Sequence, residues 1–218
     1  MPIKLDDIYY FQEKKVSHAS VYNLAKEVQH LSTANSSDKR LFQSKLDKLA
    51  TVPGGNDEQR RMAADLLCEF QTYKTLHDAG VSPRWVEEAT TAQPDLKYEK
   101  NGKTYPVEVK HVNPPREEDV ALSRGVSVGG SVDTGYIQGV VQKVQDNLMS
   151  AKNKFNTFNG DTANNGTLYL YYSQSLDAQV ASYFPGSQTM QSKVEQIVSS
   201  MSPSGMDVVV QDIDTLFI

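Results

Sequence analysis

The chain has 218 residues, 39% of them hydrophobic and 22% charged, with a formal net charge of −5 at pH 7. These proportions fit one folded domain with a small appendage, and an acidic chain of this kind is not steered as a whole toward nucleic acid, so contact with a polyanion would need a local basic groove. A single cysteine, Cys68, excludes an internal disulfide and a thiolate zinc cage within one chain.

Apolar runs are short, the longest resembling "LYLYY", so a membrane span is not expected. The opening "MPIKLDDIYYFQEKK" lacks the continuous apolar stretch of a secretory leader, and a cytoplasmic, reducing location is the expectation. Residues 20–31 place Val21, Leu24, Val28 and Leu31 at helical spacing, and "STANSSD" (32–38) breaks that helix. A second helix is predicted over 37–50 with Leu41, Leu46 and Leu49 on its apolar side, ended by "TVPGGN" (51–56). These two form an expected N-terminal helical segment, residues 1–52, ahead of a main domain, residues 53–218.

The third helix has the clearest ends. Asn56 suits the N-cap, Asp57 and Glu58 suit the positive end of the helix dipole, and Gly80 suits a left-handed terminus. Met62, Leu66, Phe70 and Tyr73 recur between them at three- and four-residue spacing. "RWVEE" (84–88) reads as a strand, and 94–110 as a hairpin. Residues 113–135, rich in Pro, Gly and Ser, read as a long loop. Then come a helix over 136–158 with Val140, Val144, Leu148, Ala151 and Phe155 on one stripe, and a buried strand at 166–172. An amphipathic helix through Met190, Val194, Ile197 and Met201 and a strand at 207–213 close the chain. This order is that of a mixed α/β fold.

The hairpin "PDLKYEKNGKTYPVEVK" carries the chemistry. Asn101-Gly102 between extended flanks specifies a two-residue type I′ turn. Pairing outward from Lys100 and Lys103 sets Tyr98 opposite Tyr105, Leu96 opposite Val107 and, next, Asp95 opposite Glu108. Alternation then puts Leu96, Tyr98, Tyr105, Val107 and Val109 on the apolar face, with Asp95, Glu108 and Lys110 together on the other. Two carboxylates held roughly 4.5–5.5 Å apart repel unless something positive lies between them. Mg²⁺, with Mn²⁺ as substitute, is the natural occupant because it prefers oxygen ligands. The competing reading is an edge hairpin whose charges are solvated.

Pro94-Asp95, followed after twelve residues by Glu108-Val109-Lys110, resembles the PD-(D/E)xK signature of restriction-endonuclease-like nucleases, over roughly residues 57–172. The resemblance implies a restriction-endonuclease-like mixed sheet flanked by helices (an αβββαβ core) behind the extra N-terminal helices. It implies that Asp95, Glu108 and the Val109 carbonyl bind the metal, that Lys110 positions the attacking water, and that Glu69, on the preceding helix, joins the metal shell. The helix after the signature resembles the family's crossover helix, making Gln142, Lys143, Lys152 and Lys154 candidate phosphate contacts. Val112 stands where the recombination and repair branch carries Gln, so no subfamily is assigned. The expected activity is that of a Mg²⁺-dependent nuclease, an endonuclease ahead of an exonuclease and on DNA ahead of RNA, with a homodimer or a targeting protein as candidate partner. The alternative is a catalytically silent nuclease-fold module that binds nucleic acid or a protein.

Other residues receive plainer readings. Glu87 is expected to be solvated, and His111, pointing away from Lys110, to be structural or superficial. His18, His30 and His77 lack metal-ligand spacing, and Cys68 reads as a small buried hydrophobe. The glycines of "RGVSVGGSVDTG" match no dinucleotide or phosphate-loop fingerprint.

Overall fold

In the computed structural model, which describes residues 18–32, 35–51, 57–87, 92–112, 134–159, 166–172 and 190–212, the chain runs α1 (His18–Ser32), α2 (Ser36–Thr51), α3 (Asp57–Asp78), β1 (Arg84–Trp85), β2 (Leu96–Lys100), β3 (Lys103–His111), α4 (Thr134–Asn159), β4 (Gly166–Tyr172), α5 (Met190–Met201) and β5 (Met206–Asp212). The strands form one mixed sheet in the order β1-β2-β3-β4-β5. β1, β2 and β3 are an antiparallel meander, and β3, β4 and β5 run parallel. Each parallel step is spanned by a helix, α4 and then α5, as parallel neighbours require. The expected order of helix, three strands, helix, strand is present.

Local chemistry sets the boundaries. The Asn35 side chain accepts the backbone N–H of Ser37 at 2.9 Å and of Asp38 at 3.4 Å, capping α2. At the end of α3, Gly80 adopts φ +78°, Val81 N–H donates to Leu76 C=O, and Gly80 N–H donates to His77 C=O. This pair of bonds closes the helix as a Schellman motif. Asn101 (φ +53°) and Gly102 (φ +72°) form the hairpin turn. The register is the expected one from Lys100–Lys103 to Leu96–Val107.

The sheet is covered on both faces. On one, Leu96, Val107, Val109, Tyr169 and Tyr171 pack with Leu67, Phe70 and Tyr73 of α3, Phe42 of α2, and Leu24 and Val28 of α1. On the other, Leu168, Leu170 and Tyr172 pack with Val144, Leu148, Ala151 and Phe155 of α4 and Val194 and Ile197 of α5. β4, an interior strand covered on both faces, is therefore apolar from Leu168 to Tyr172 rather than alternating. The helices of the expected N-terminal segment share the core of the main sheet. Among the described residues no helix is long and apolar enough to cross a membrane.

Several boundaries differ from the sequence reading. β1 is two residues, ending at Trp85, and beyond it the Val86 N–H to Asp95 carbonyl bond is the last backbone link to this side of the hairpin among the described residues. The last helix begins at Met190 and the last strand spans Met206–Asp212. Asn56, Glu88 and residues 113–133 lie outside the described residues, as do the side chains of Val21, Leu46, Leu49, Met62 and Met190.

Candidate functional site

Asp95 stands immediately before β2, where the ladder with β3 has ended at Leu96–Val107. The sequence places it in one further pair, opposite Glu108. Instead its side chain replaces a backbone partner: Asp95 Oδ2 accepts the Val109 N–H at 2.9 Å, while its carbonyl accepts Val86 N–H at 3.2 Å. The residue thus fastens the sheet at the point where all three meander strands meet.

Glu108 is completely buried, an unusual place for a carboxylate. Its Oε1 is contacted at 2.6 Å by the ammonium of Lys110, two residues along the strand, and at 2.6 Å by that of Lys154 from α4. Its Oε2 is buried with no hydrogen-bond partner. Burial pushes the Glu108 carboxyl up to about 7, the Asp95 charge adds to the rise, and Lys110 and Lys154 oppose it. For Lys110, burial favours the neutral amine, but Glu108, Asp95 and Asp65 together outweigh it and hold the pKa above the ordinary lysine range.

Glu69 approaches from the α3 side. It pairs with Lys45 of α2 at 2.5 Å, both side chains largely buried, and the same ammonium lies 5.1 Å from the centre of the Trp85 ring. Burial raises the Glu69 carboxyl to about 7; Lys45 opposes this, whereas Asp95 and Asp65 add to it. Asp95 is therefore the charge sensed by Glu69, Glu108 and Lys110 alike.

Of the candidate phosphate contacts, Lys154 alone joins these carboxylates. Gln142 donates to Asp146 on its own helix at 2.9 Å, and Lys152 donates to the Ser204 carbonyl at 2.9 Å. Lys143 is exposed. The helical period explains the division. Lys154 and Lys143 leave α4 on one flank of the stripe formed by Val144, Leu148, Ala151 and Phe155, and Lys152 leaves on the other. Lys143 lies eleven residues before Lys154, about 16 Å along the axis. Glu87 is exposed and pairs with Arg40 at 2.7 Å.

Two neighbours of the cluster were not singled out as site residues by sequence. His111 turns inward beneath α3, its side chain only 9% exposed and Nδ1 3.7 Å from the Asp65 carboxylate. Neither ring nitrogen has a hydrogen-bond partner. The signal was available: Asp65 and Glu69 are four residues apart, on one face of α3. Lys45 had none, because only long-range packing brings α2 to Glu69. Cys68 is buried in the core, as expected, and burial holds its thiol well above the ordinary range.

Among the described residues no three His, Cys, Asp or Glu side chains converge as a ready-made metal group. Mg²⁺ does not need one: it is commonly held by one or two carboxylates, with water and substrate phosphate completing its shell. The buried, unpartnered Oε2 of Glu108, next to the charge of Asp95, fits such a cation. A surface depression of about 560 Å³ lined by α1 and α2, with Gln29, Phe42 and Asp47 on its walls, contains none of these residues. No protein-family model, curated protein or solved structure matches the chain significantly.

Proposed function

We propose that the cluster at the end of β3 is the active site of a Mg²⁺-dependent phosphodiesterase of restriction-endonuclease-like architecture, acting on nucleic acid and on DNA first. The observation that carries the reading is the buried Glu108 carboxylate, with the Lys110 ammonium at 2.6 Å and the charge of Asp95 bearing on both. The signature residues Asp95, Glu108 and Lys110 thus act on one another electrostatically, on a helix, meander, helix and strand in the order that the resemblance implies.

Asp95 and Glu108, with Glu69 as a further candidate ligand and the Val109 main chain beside them, would hold the cation. Mg²⁺ in that position would neutralise charge on the phosphodiester and acidify the attacking water. Lys110 remains an ammonium, since its neighbours raise its pKa. It therefore orients the water and the phosphate as a hydrogen-bond donor rather than taking a proton. Water would add to phosphorus in line with the departing sugar oxygen as the bond to that oxygen breaks; the attacking water gives up its proton to solvent, and the departing oxygen takes one from solvent to leave as a hydroxyl. With a net charge of −5, strand binding falls to local ammonium groups such as Lys143 and Lys154, or to a second copy or a targeting protein. The buried Cys68 is compatible with a reducing, cytoplasmic setting.

A second reading, a nuclease-fold module that binds without cutting, is favoured by one observation: Lys45, Lys110 and Lys154 already offset Glu69 and Glu108. Supercoiled plasmid and single-stranded DNA, each incubated with the protein in Mg²⁺, Mn²⁺ or EDTA, separate the two. Cleavage that EDTA abolishes is expected for the enzyme. Gel retardation without cleavage, equal in Mg²⁺ and EDTA, would show the binding module.

A further inference from the structure

Four side chains of the cluster carry charges that cancel. With Glu108 ionised, as cation binding requires, Asp95 and Glu108 bring two negative charges, and the ammoniums of Lys110 and Lys154, each 2.6 Å from Glu108 Oε1, bring two positive ones. A divalent cation on the carboxylates would leave two positive charges in excess in a largely buried space, and a phosphodiester would return only one of them. Burial of unbalanced charge is costly, so one ammonium has to withdraw when metal and phosphate are both bound.

The two lysines are not equivalent. Lys110 shares the strand and sheet face of Glu108 and is also attracted by Asp95 and Asp65. Lys154 reaches in from α4, from the flank of its buried stripe, with 18% of its side chain exposed and its ammonium on Glu108 Oε1. Its long stem can carry the charge outward while the helix stays packed through Ala151 and Phe155.

We infer that Lys154 is a resident counter-ion of Glu108 that an incoming divalent cation displaces, and that the released ammonium then serves as a phosphate contact. This rests on the metal-dependent reading above. Lys154 keeps the buried carboxylate compensated in the chain by itself, and couples cation entry to the appearance of a positive group facing the strand. The apparent affinity for metal is lowered by the fraction of molecules in which Lys154 occupies Glu108.

Binding of Mn²⁺, followed by electron paramagnetic resonance with no nucleic acid present, tests this on wild type, Lys154→Gln and Lys154→Arg. Lys154→Gln is expected to bind Mn²⁺ about tenfold more tightly than wild type, and Lys154→Arg to stay close to wild type. A readout on the unaltered protein stands beside it: acetylation of Lys154 by a water-soluble active ester, followed by peptide mass spectrometry, should accelerate when Mg²⁺ is added. Wild type that binds Mn²⁺ with the affinity of Lys154→Gln, or Lys154 acetylation that ignores Mg²⁺, would overturn the counter-ion role and leave the metal site standing. Absence of Mn²⁺ binding in all three proteins would overturn the metal reading itself, and this inference with it.

Discussion

Asp95 and Val109 are joined across the open end of the hairpin: the carboxylate accepts the Val109 N–H at 2.9 Å where backbone pairing between β2 and β3 has stopped. The same carboxylate pushes up the proton affinity of Glu69 and Glu108. One side chain therefore carries a strand contact and a charge, and two substitutions separate them. Asp95→Asn keeps an acceptor for Val109 and removes the charge, whereas Asp95→Ala removes both. In denaturant unfolding, Asp95→Asn is expected near wild type and Asp95→Ala about 1–2 kcal/mol less stable. Both are expected to lose Mn²⁺ binding in calorimetry.

Burial and the Asp95 charge raise the Glu108 carboxyl from 4.5 to about 7. Between those values the folded chain keeps a proton that the unfolded chain has released, so stability falls as pH rises through the window. Below pH 4.5 both states are protonated and above about 7 both are ionised, so the contribution is flat outside it. At about 1.4 kcal/mol per pH unit, the loss from this carboxyl is at most roughly 3–4 kcal/mol. Glu108→Gln cannot titrate, and its unfolding free energy should fall less steeply than that of wild type over the same range. Parallel slopes would show that Glu108 is ionised throughout.

How much of this was legible in the sequence follows from the range of the interactions. The hairpin register was readable because Asn101-Gly102 fixes the turn and the alternation of Leu96, Tyr98, Tyr105 and Val107 fixes the faces. The Asp95–Glu108 pair was not, because a side-chain acceptor took the place of the next ladder bond. Lys45 on Glu69 and Lys154 on Glu108 depend on how α2 and α4 settle against the sheet. A periodicity argument gives the buried stripe of α4, but the lysine that reaches the carboxylate depends on which flank faces β3.

Behind the site, Thr72 of α3 and Tyr171 of β4 share a hydrogen bond of 3.0 Å, with both residues fully buried. Thr72 also donates to the Cys68 carbonyl at 2.9 Å, so the Tyr171 hydroxyl is the natural donor in the pair. Tyr171→Phe should cost about 1 kcal/mol, and Thr72→Val about 1–3 kcal/mol because it leaves the tyrosine hydroxyl unsatisfied. The double substitution is expected to be less damaging than the sum of the single ones, and a double-mutant cycle by chemical denaturation measures that coupling.

Gly166 opens β4 against α4. A methyl group built on it would overlap the ring of Phe155, which is fully buried. Gly166→Ala should destabilise by about 1–3 kcal/mol through overpacking. Adding Phe155→Leu, which gives the methyl room, should recover part of that loss in thermal unfolding. No recovery would mean that the glycine is needed for its backbone rather than for the space.

The most direct test of the site is plasmid nicking by wild type, Asp95→Ala and Lys110→Ala in Mg²⁺ and in Mn²⁺, with Lys74→Ala, a half-buried partner of Asp78 on α3, as the control. Cleavage by wild type and the control, abolished in both cluster variants that remain folded by circular dichroism, is the expected result. Cleavage that survives Asp95→Ala and Lys110→Ala would contradict the assignment. So would the absence of cleavage by wild type on supercoiled, linear and single-stranded DNA with either metal.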